Sequence, residues 1–156
     1  MAVLVTESEI MDAVLRILAK RDYSEMEIRR KLQSRQAPEV LVDRVIKRVQ
    51  ELGYQSDERY VGAYIRYSVS QGRGPVWIFT QLSQRGIAKS MIQQGLEAID
   101  IDWRDVAAEQ LRRKFKVAAH EPKLQAKQFR HLASRGFSSD VIRFAMDALA
   151  VETFVD

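Results

Sequence analysis

Two histidines are the residues of this chain best suited to bind a metal ion or to transfer protons. His120 and His131 are 11 positions apart, and no acidic residue stands at helical metal-ligand spacing from both. The chain contains no cysteine, which excludes disulfides and thiolate ligands. No pair of carboxylates stands in the apolar setting that general acid–base catalysis uses. We therefore predict a non-enzymatic protein with no catalytic residue, no metal site and no cofactor.

A glycine-rich stretch, Gly72-Arg73-Gly74-Pro75, raises the question of a phosphate-binding loop. Such a loop follows a strand and carries a lysine followed by serine or threonine, and this stretch has neither feature. A turn that leads into a helix beginning near Pro75 explains these residues better, because proline is favoured in the first turn of a helix.

Three tyrosines recur at helical spacing in the middle of the chain. Tyr60, Tyr64 and Tyr67 lie at positions i, i+4 and i+7 and so share one face of a helix. An exposed aromatic stripe of this kind can stack nucleic acid bases. We favour packing against Trp77 and Phe79, since a small helical unit needs such a face for its core.

Basic residues form two clusters, one around Arg29-Arg30-Lys31 and one around Arg112-Arg113-Lys114. The net charge of +4 is spread along the chain, with +1 in residues 1–52, +1 in residues 53–101 and +2 in residues 102–156. Each cluster could form a solvated face, with Glu25 and Glu27 or Glu109 and Asp105 as ion-pair partners. Each could instead contact an acidic partner or a phosphate backbone, and both alternatives stay open.

The elements that position these residues repeat with a period of 50. Leu32, Leu82 and Leu132 occupy equivalent positions, and a repeat of this length is typical of a stacked array of small helical units. The other positions in register are Arg35, Arg85 and Arg135; Gln36, Gly86 and Gly136; Ala37, Ile87 and Phe137; Val42, Ile92 and Ile142; Ile46, Leu96 and Met146; Val49, Ile99 and Leu149.

The glycine in the repeat predicts how a helix ends. In the second copy Gly86 would take the left-handed conformation and bring Leu82 against Ile87, as in a Schellman motif. The third copy has the same pattern with Gly136. In the first copy Gln36 replaces glycine, and the left-handed conformation would cost it about 1 kcal/mol. We therefore expect the first turn to be looser or longer.

Each copy contains three helices, so the sequence predicts an all-α protein with three tandem three-helix repeats. Ser24 and Glu27 form a capping box, and Pro38, Pro75 and Pro122 fit first-turn positions. Units of this kind stack, which predicts an elongated, curved body with a concave face. The predicted division is an N-terminal tail (1–7), first repeat (8–52), second repeat (53–101), third repeat (102–150) and C-terminal tail (151–156). The first helices of the repeats are predicted from Ser8 to Lys20, Asp57 to Ser70 and Asp102 to Lys116.

The chain carries no pattern of a targeting or membrane-spanning segment. The apolar start, Val3-Leu4-Val5, has no basic flank and no cleavage pattern, so it is not predicted to be a signal peptide. No apolar stretch approaches the ~20 residues that cross a bilayer. We expect a cytoplasmic protein with no membrane partner.

Four segments in this order resemble the RecX family of recombinase regulators. They span most of residues 8–150, and two positions depart from the family pattern: Gln36 at a turn glycine and Gln55 at an apolar position. The segments are Arg21-Asp22-Tyr23-Ser24-Glu25-Met26-Glu27-Ile28-Arg29-Arg30-Lys31-Leu32; Leu52-Gly53-Tyr54-Gln55-Ser56-Asp57-Glu58-Arg59-Tyr60; Gly74-Pro75 with Ile78, Leu82 and Arg85-Gly86-Ile87; and Arg135-Gly136-Phe137 with Ile142.

The resemblance implies a negative regulator of the RecA recombinase. Proteins of this family bind along the groove of the RecA–DNA filament and inhibit ATP hydrolysis, strand exchange and co-protease activity. The RecA filament is then the expected partner, with DNA contacted within the filament or weakly alone, and a monomer is the simplest oligomeric state. The alternative is a helical repeat protein that binds nucleic acid directly. Charge and repeat position give the candidate partner-binding residues Arg29, Arg30, Arg35, Arg66, Arg73, Arg85, Arg112, Arg113 and Lys116.

Overall fold

The fold is all-helical in the part of the chain that the structure describes. This structure is a computed structural model, and it describes residues 2–155, with side chains for residues 2–152. Nine α-helices and no strand lie in that range. The helices are α1 (Glu7–Lys20), α2 (Glu25–Ser34), α3 (Glu39–Glu51), α4 (Asp57–Ser70), α5 (Pro75–Gln84), α6 (Lys89–Ala98), α7 (Trp103–Lys114), α8 (Pro122–Ser134) and α9 (Ser139–Val155).

The predicted fold class, with three helices in each of three repeats, is confirmed. The first helices match the predicted ranges within two residues, and α4 coincides with its range. The last helix differs from expectation, because α9 continues to Val155 through most of the segment 151–156 that we had assigned to a tail. Asp156 lies outside the described residues. The repeat boundaries and the elongated shape stay predictions.

Helix starts follow the local sequence signals. Ser24 accepts a hydrogen bond from the backbone N–H of Glu27, and the Glu27 carboxylate accepts one from the N–H of Ser24, so the predicted capping box is present. Pro75 and Pro122 are the first residues of α5 and α8, as predicted. Pro38 stands one position earlier than a first-turn residue, at the N-cap of α3.

Three helices end in the same Schellman turn. Gly86 and Gly136 have positive φ angles of 81° and 99°, and Ile87 N–H donates to the Leu82 carbonyl at 3.1 Å. Gln36 adopts φ 56°, and the equivalent bond from Ala37 to Leu32 is also 3.1 Å long. The expectation of a looser or longer first turn was therefore wrong, because glutamine accepts the left-handed conformation without changing the length of the turn.

The described chain divides into two compact units, each with its own core. The first unit comprises Met1–Ala63 with Leu82–Gly95, and the second comprises Tyr64–Gln81 with Leu96–Asp156. In the first unit, α1, α2 and α3 pack on one another around buried aliphatic side chains. These are Leu4, Ile10, Val14, Ile28, Leu32, Val42, Val45, Ile46 and Val49.

The second unit is built around α7, α8 and α9, and α7 with α9 forms its most extensive helix pair. Small residues on both helices permit this close packing, since Ala107 and Ala145 are fully buried. The remaining core side chains are Ala108, Leu111, Ala118, Leu132, Phe137, Ile142 and Leu149.

The carbonyl group that precedes each Schellman turn accepts a hydrogen bond from a segment far away in the sequence. In the first unit, Ser24 Oγ donates to the Arg85 carbonyl at 2.9 Å. In the second unit, the N–H of Gly74 donates to the Arg135 carbonyl at 2.8 Å. At the first turn the donor is Leu4 N–H, which lies 3.0 Å from the Arg35 carbonyl. Each turn is thus fixed by tertiary contacts as well as by its own helix.

Candidate partner interface

Arg29, the first of the predicted interface residues, is engaged in ion pairs within the first unit. Its guanidinium lies 3.0 Å from Glu25 and 2.7 Å from Asp43. Partial burial of Arg29 lowers its pKa, whereas the hydrogen bonds to Asp43 and Glu25 raise it. The carboxylates outweigh burial, so the pKa of Arg29 is raised. The pairing with Glu25 agrees with the ion-pair interpretation at Arg29, and the contact with Asp43 joins α2 to α3 in the folded chain.

The two arginines of the second basic cluster are also paired with acidic neighbours. Glu109 accepts hydrogen bonds from Arg112 and Arg113, each at 3.1 Å, and Arg112 reaches Glu152 at 2.8 Å. Hydrogen bonds from these two arginines lower the pKa of the Glu109 carboxylate. A partner would have to compete with these contacts to bind Arg112 or Arg113.

Three more candidates make contacts within the first unit at or near the ends of α2 and α5. Arg85 lies 3.9 Å from Glu27, Arg30 donates to the Gln84 carbonyl at 3.2 Å, and Arg35 donates to the Ala2 carbonyl at 3.0 Å. Such contacts connect segments that are distant in the sequence, which gives these arginines a structural role.

Arg66, Arg73 and Lys116 are the predicted residues that keep their charge available. Arg66 and Lys116 are exposed, and no carboxylate forms a salt bridge with either within the part of the chain that the structure describes. The Arg73 guanidinium lies over the Trp77 ring, 4.5 Å from its centroid. A cation–π contact orients the guanidinium without neutralising it.

Arg73 belongs to a group of cationic side chains in the second unit that we call the Arg73 cluster, defined as Arg73, Lys114 and Arg135, and His131 lies beside it. Burial and the charge of Arg73 lower the pKa of Arg135. Burial, followed by the charges of Arg135 and Lys114, lowers the pKa of His131. These shifts show like charges close together, so the cluster favours an anionic partner.

Arg135 fixes the geometry of this cluster through backbone contacts. Its guanidinium donates to the Gly72 carbonyl at 3.3 Å and to the Gln71 carbonyl. Both carbonyls lie in the turn that follows α4, directly before Arg73 in the sequence. Arg135 was not among the interface residues predicted from the sequence, although the repeat that relates it to Arg35 and Arg85 could have identified it.

The tyrosine stripe is divided between the core and the surface. Tyr64 stacks on Trp77 with ring centroids 6.3 Å apart, in agreement with the predicted packing. Tyr60 is buried in the first unit, where burial and the Glu27 carboxylate raise its pKa. Tyr67 is 64% exposed and is the member of the stripe that could stack on a partner.

The described residues contain no group of three or more histidine, aspartate or glutamate side chains arranged to hold a metal ion. His131 instead makes an edge contact with Phe115, with ring centroids 5.8 Å apart. No helix within the described range is long and apolar enough to span a membrane.

Sequence comparison matches the chain to three RecX domains in order. The first RecX three-helix domain matches residues 11–48, the second matches residues 56–96 and the third matches residues 100–146. These three segments together contain α2, α4, α5, α7 and α8 in full.

Full-length relatives and solved structures agree with this assignment. Regulatory protein RecX of Actinobacillus pleuropneumoniae serotype 5b is 37% identical over 142 residues, which cover 91% of this chain and 93% of the relative. Regulatory protein RecX of Pseudomonas putida strain GB-1 is 37% identical over 90% of this chain and 91% of its own length. A crystal structure of a regulatory protein RecX aligns with a TM-score of 0.75 and 25% identity, over 90% of this chain and 73% of that one. RecX from Lactobacillus salivarius shares the fold, with a TM-score of 0.78, 24% identity and coverage of 92% and 96%. The chain therefore belongs to the RecX family of regulatory proteins.

Proposed function

We propose that this chain is a negative regulator of the RecA recombinase, which binds along the groove of the RecA–DNA filament as a monomer in the cytoplasm. In this role it inhibits ATP hydrolysis, strand exchange and co-protease activity by RecA, without catalysing a reaction itself. The observation that carries the proposal is the ordered match of all three RecX domains, together with relatives named regulatory proteins over nine-tenths of the chain.

The cationic residues that retain their charge support this proposal. Arg66, Lys116 and the Arg73 cluster offer positive charge that no carboxylate of the described residues neutralises. A nucleoprotein filament presents phosphates and acidic side chains, so these residues are the proposed contacts in preference to the ion-paired Arg29 and Arg112.

The direct test is the rate of ATP hydrolysis by RecA on single-stranded DNA while this protein is added. We expect inhibition at well below one copy per RecA, because a filament binder acts on many neighbouring protomers. An unchanged rate at micromolar excess, with the added protein shown by circular dichroism to be helical, would refute the proposal.

A charge reversal can locate the interface. Arg73→Glu should raise the concentration for half-inhibition by about tenfold, since it removes one cation and introduces a repulsive charge (about 1.4 kcal/mol). Arg143→Glu is the matched control in the second unit, because Arg143 is 70% exposed and its nearest carboxylate, Asp140, is 3.9 Å away. Equal losses in the two variants would indicate nonspecific charge attraction.

Direct DNA binding is the second candidate function, and the Arg73 cluster is the feature that favours it. Binding through several phosphates would be tight at low salt and would weaken steeply as salt is raised. We expect weak binding to bare DNA, measured by fluorescence anisotropy at two salt concentrations. Tight binding with a steep salt dependence, and no effect on RecA, would favour the DNA-binding alternative.

A further inference from the structure

The first unit contains a groove that the proposed RecA contacts do not use. The groove has a volume of about 420 Å³ and lies between the N-terminal segment (residues 2–5), α1 and α2. Leu4, Ala13, Ile17 and Leu32 line it with apolar side chains. Leu4 and Leu32 are buried in the hydrophobic core, so the floor of the groove is fixed by the fold.

The charges of α1 are sorted along this groove. Glu9 and Asp12 line it near the start of the helix, and Arg16 and Lys20 line it one to two turns later. Their spacing of three and four residues places all four on one face of α1. The groove therefore has an acidic end and a basic end.

A lysine of α2 adds to the basic end. Lys31 also lines the groove, and its ammonium lies 5.4 Å from the ring centroid of Tyr23. Hydrogen bonding to Arg21, supported by the charges of Arg21, Lys31 and Lys20, lowers the pKa of Tyr23. The two lysines therefore act on the same tyrosine and lie at the same end of the groove.

The positive charge at this end is not neutralised within the described residues. No carboxylate of the described residues forms a salt bridge with Arg16, Lys20 or Lys31. By contrast, Arg29 and Arg59 of the same unit each pair with an aspartate. Exposed cations beside an apolar floor attract an anionic ligand that also carries an apolar group.

We propose that this groove docks a short acidic peptide segment of a partner protein. An apolar side chain of the segment lies on Ile17, which is only partly buried, and carboxylates next to it contact Lys20 and Lys31. The eleven residue steps from Glu9 to Lys20 span about 16 Å. That length accommodates about five extended residues.

The acidic end of the groove distinguishes a peptide from a nucleic acid. A nucleic acid strand carries one phosphate per nucleotide, so a strand along the whole groove would place phosphates against Glu9 and Asp12 as well as against the basic end. A peptide can place its carboxylates at one end only and present backbone N–H groups or a basic residue to the other end.

The probe is a fluorescein-labelled hexapeptide with one leucine followed by glutamates, added to the full chain and followed by fluorescence anisotropy. We expect saturable binding at low salt. The double variant Lys20→Glu/Lys31→Glu should weaken binding at least tenfold, because both contacts become repulsive. A peptide with serine in place of leucine should bind at least fivefold more weakly to the unmodified protein.

The matched control is Arg44→Glu/Lys47→Glu, which makes the same change of charge on exposed positions of α3 outside the groove. Thermal unfolding by circular dichroism verifies that both double variants are folded. Weakened binding in the groove variant alone, with the leucine required, supports the proposal. Absence of binding, an equal loss in the control, or stronger binding of an oligothymidine through Lys20 and Lys31 would each overturn it.

Discussion

Gly86 and Gly136 are constrained both by their backbone angles and by their neighbours. A Cβ atom at Gly136 would lie 2.4 Å from the Cβ and 2.5 Å from the backbone nitrogen of Trp77. At Gly86 it would lie 2.5 Å from Met26 Cβ. Gln36 also takes a left-handed angle, but its side chain is exposed, which explains why a side chain is tolerated there.

Substitution of the turn residues should therefore have graded effects. Gly136→Ala should lower the free energy of unfolding by about 2–4 kcal/mol, which combines left-handed strain with overpacking against backbone. Gly86→Ala should cost less, because rotation of the Met26 side chain relieves its contacts with Sδ and Cε and leaves only the contact with Cβ, whereas the contacts at Gly136 include backbone atoms of Trp77. Gln36→Gly should change stability by at most about 1 kcal/mol, in the stabilising direction. Urea unfolding measures all three variants, and equal effects of the two alanines would contradict the contact argument.

His131 should make stability depend on pH near neutrality. Burial and the charges of Arg135 and Lys114 lower its pKa below the ordinary 6.5, so the folded state binds a proton less readily than the unfolded state. Stability is then fully present above pH 6.5 and is lost as the pH falls through the folded pKa. The free energy of unfolding should fall between pH 7.5 and pH 5.5.

The variant His131→Phe keeps an aromatic ring beside Phe115 and removes the titrating group. Its free energy of unfolding should fall less over the same pH range. An identical pH dependence in the two proteins would show that other groups cause the effect.

Residues near one another in sequence were predictable, and those joined by tertiary contacts were not. The Ser24–Glu27 capping box and the Glu25–Arg29 pair follow from spacings of three and four residues. The pairing of Arg29 with Asp43 depends on how α2 and α3 pack, which spacing does not determine. Gln55 is likewise only 2% exposed and donates to the Tyr23 carbonyl, a contact between residues 32 positions apart that no local spacing predicts.

The N-terminal segment makes a hydrogen bond to the first Schellman turn that residues at helix starts make to the other two turns. The carbonyl groups of Arg85 and Arg135 accept hydrogen bonds from residues at or just before the starts of α2 and α5. Leu4 N–H makes the equivalent bond to Arg35, and its side chain is only 4% exposed in the first core. Residues 2–5 therefore take the place of a helix start at the first turn.

Loss of the buried Leu4 side chain should destabilise the first unit. Leu4→Ala should lower the free energy of unfolding by about 2 kcal/mol, the low end for a buried leucine because a terminal segment can readjust. Val5→Ala is the matched control, since Val5 is 62% exposed and should change stability by less than about 0.5 kcal/mol. Chemical denaturation followed at 222 nm compares them, and similar losses would show that Leu4 contributes no specific packing.

Helix periodicity and the repeat predicted the elements well because each repeat carries its own start and stop signals. The C-terminal end of α9 was missed, since no glycine or proline follows Leu149 in the sequence to mark a stop. The available charges were less predictable, because a residue of a basic run can be ion-paired, as Arg112 is, or without a salt bridge among the described residues, as Lys116 is. Only the packing of acidic residues around each basic residue decides between them.

The two compact units of the molecule do not coincide with the three predicted repeats. The helices α4, α5 and α6 each contribute residues to both units. A continuous helix cannot unfold in one part without exposing the hydrogen bonds and apolar side chains of the other. We therefore expect the two units to unfold together, in one cooperative transition.

The distribution of tryptophan allows this expectation to be tested. The chain has two tryptophans, Trp77 and Trp103, and both belong to the second unit. Their fluorescence reports unfolding of that unit, whereas circular dichroism at 222 nm reports the helices of both. In a urea titration the two signals should give the same midpoint and the same slope.

Leu4→Ala makes the test sharper, because Leu4 lies in the core of the first unit, far in sequence from either tryptophan. If the units unfold together, this substitution must shift the midpoint of the tryptophan signal as far as that of the circular dichroism signal. A tryptophan transition that stays in place while the dichroism midpoint falls would mean that the shared helices do not couple the units. In that case the second unit, which holds the Arg73 cluster, would fold independently of the first, and the proposed RecA contacts could be studied without the groove of α1 and α2.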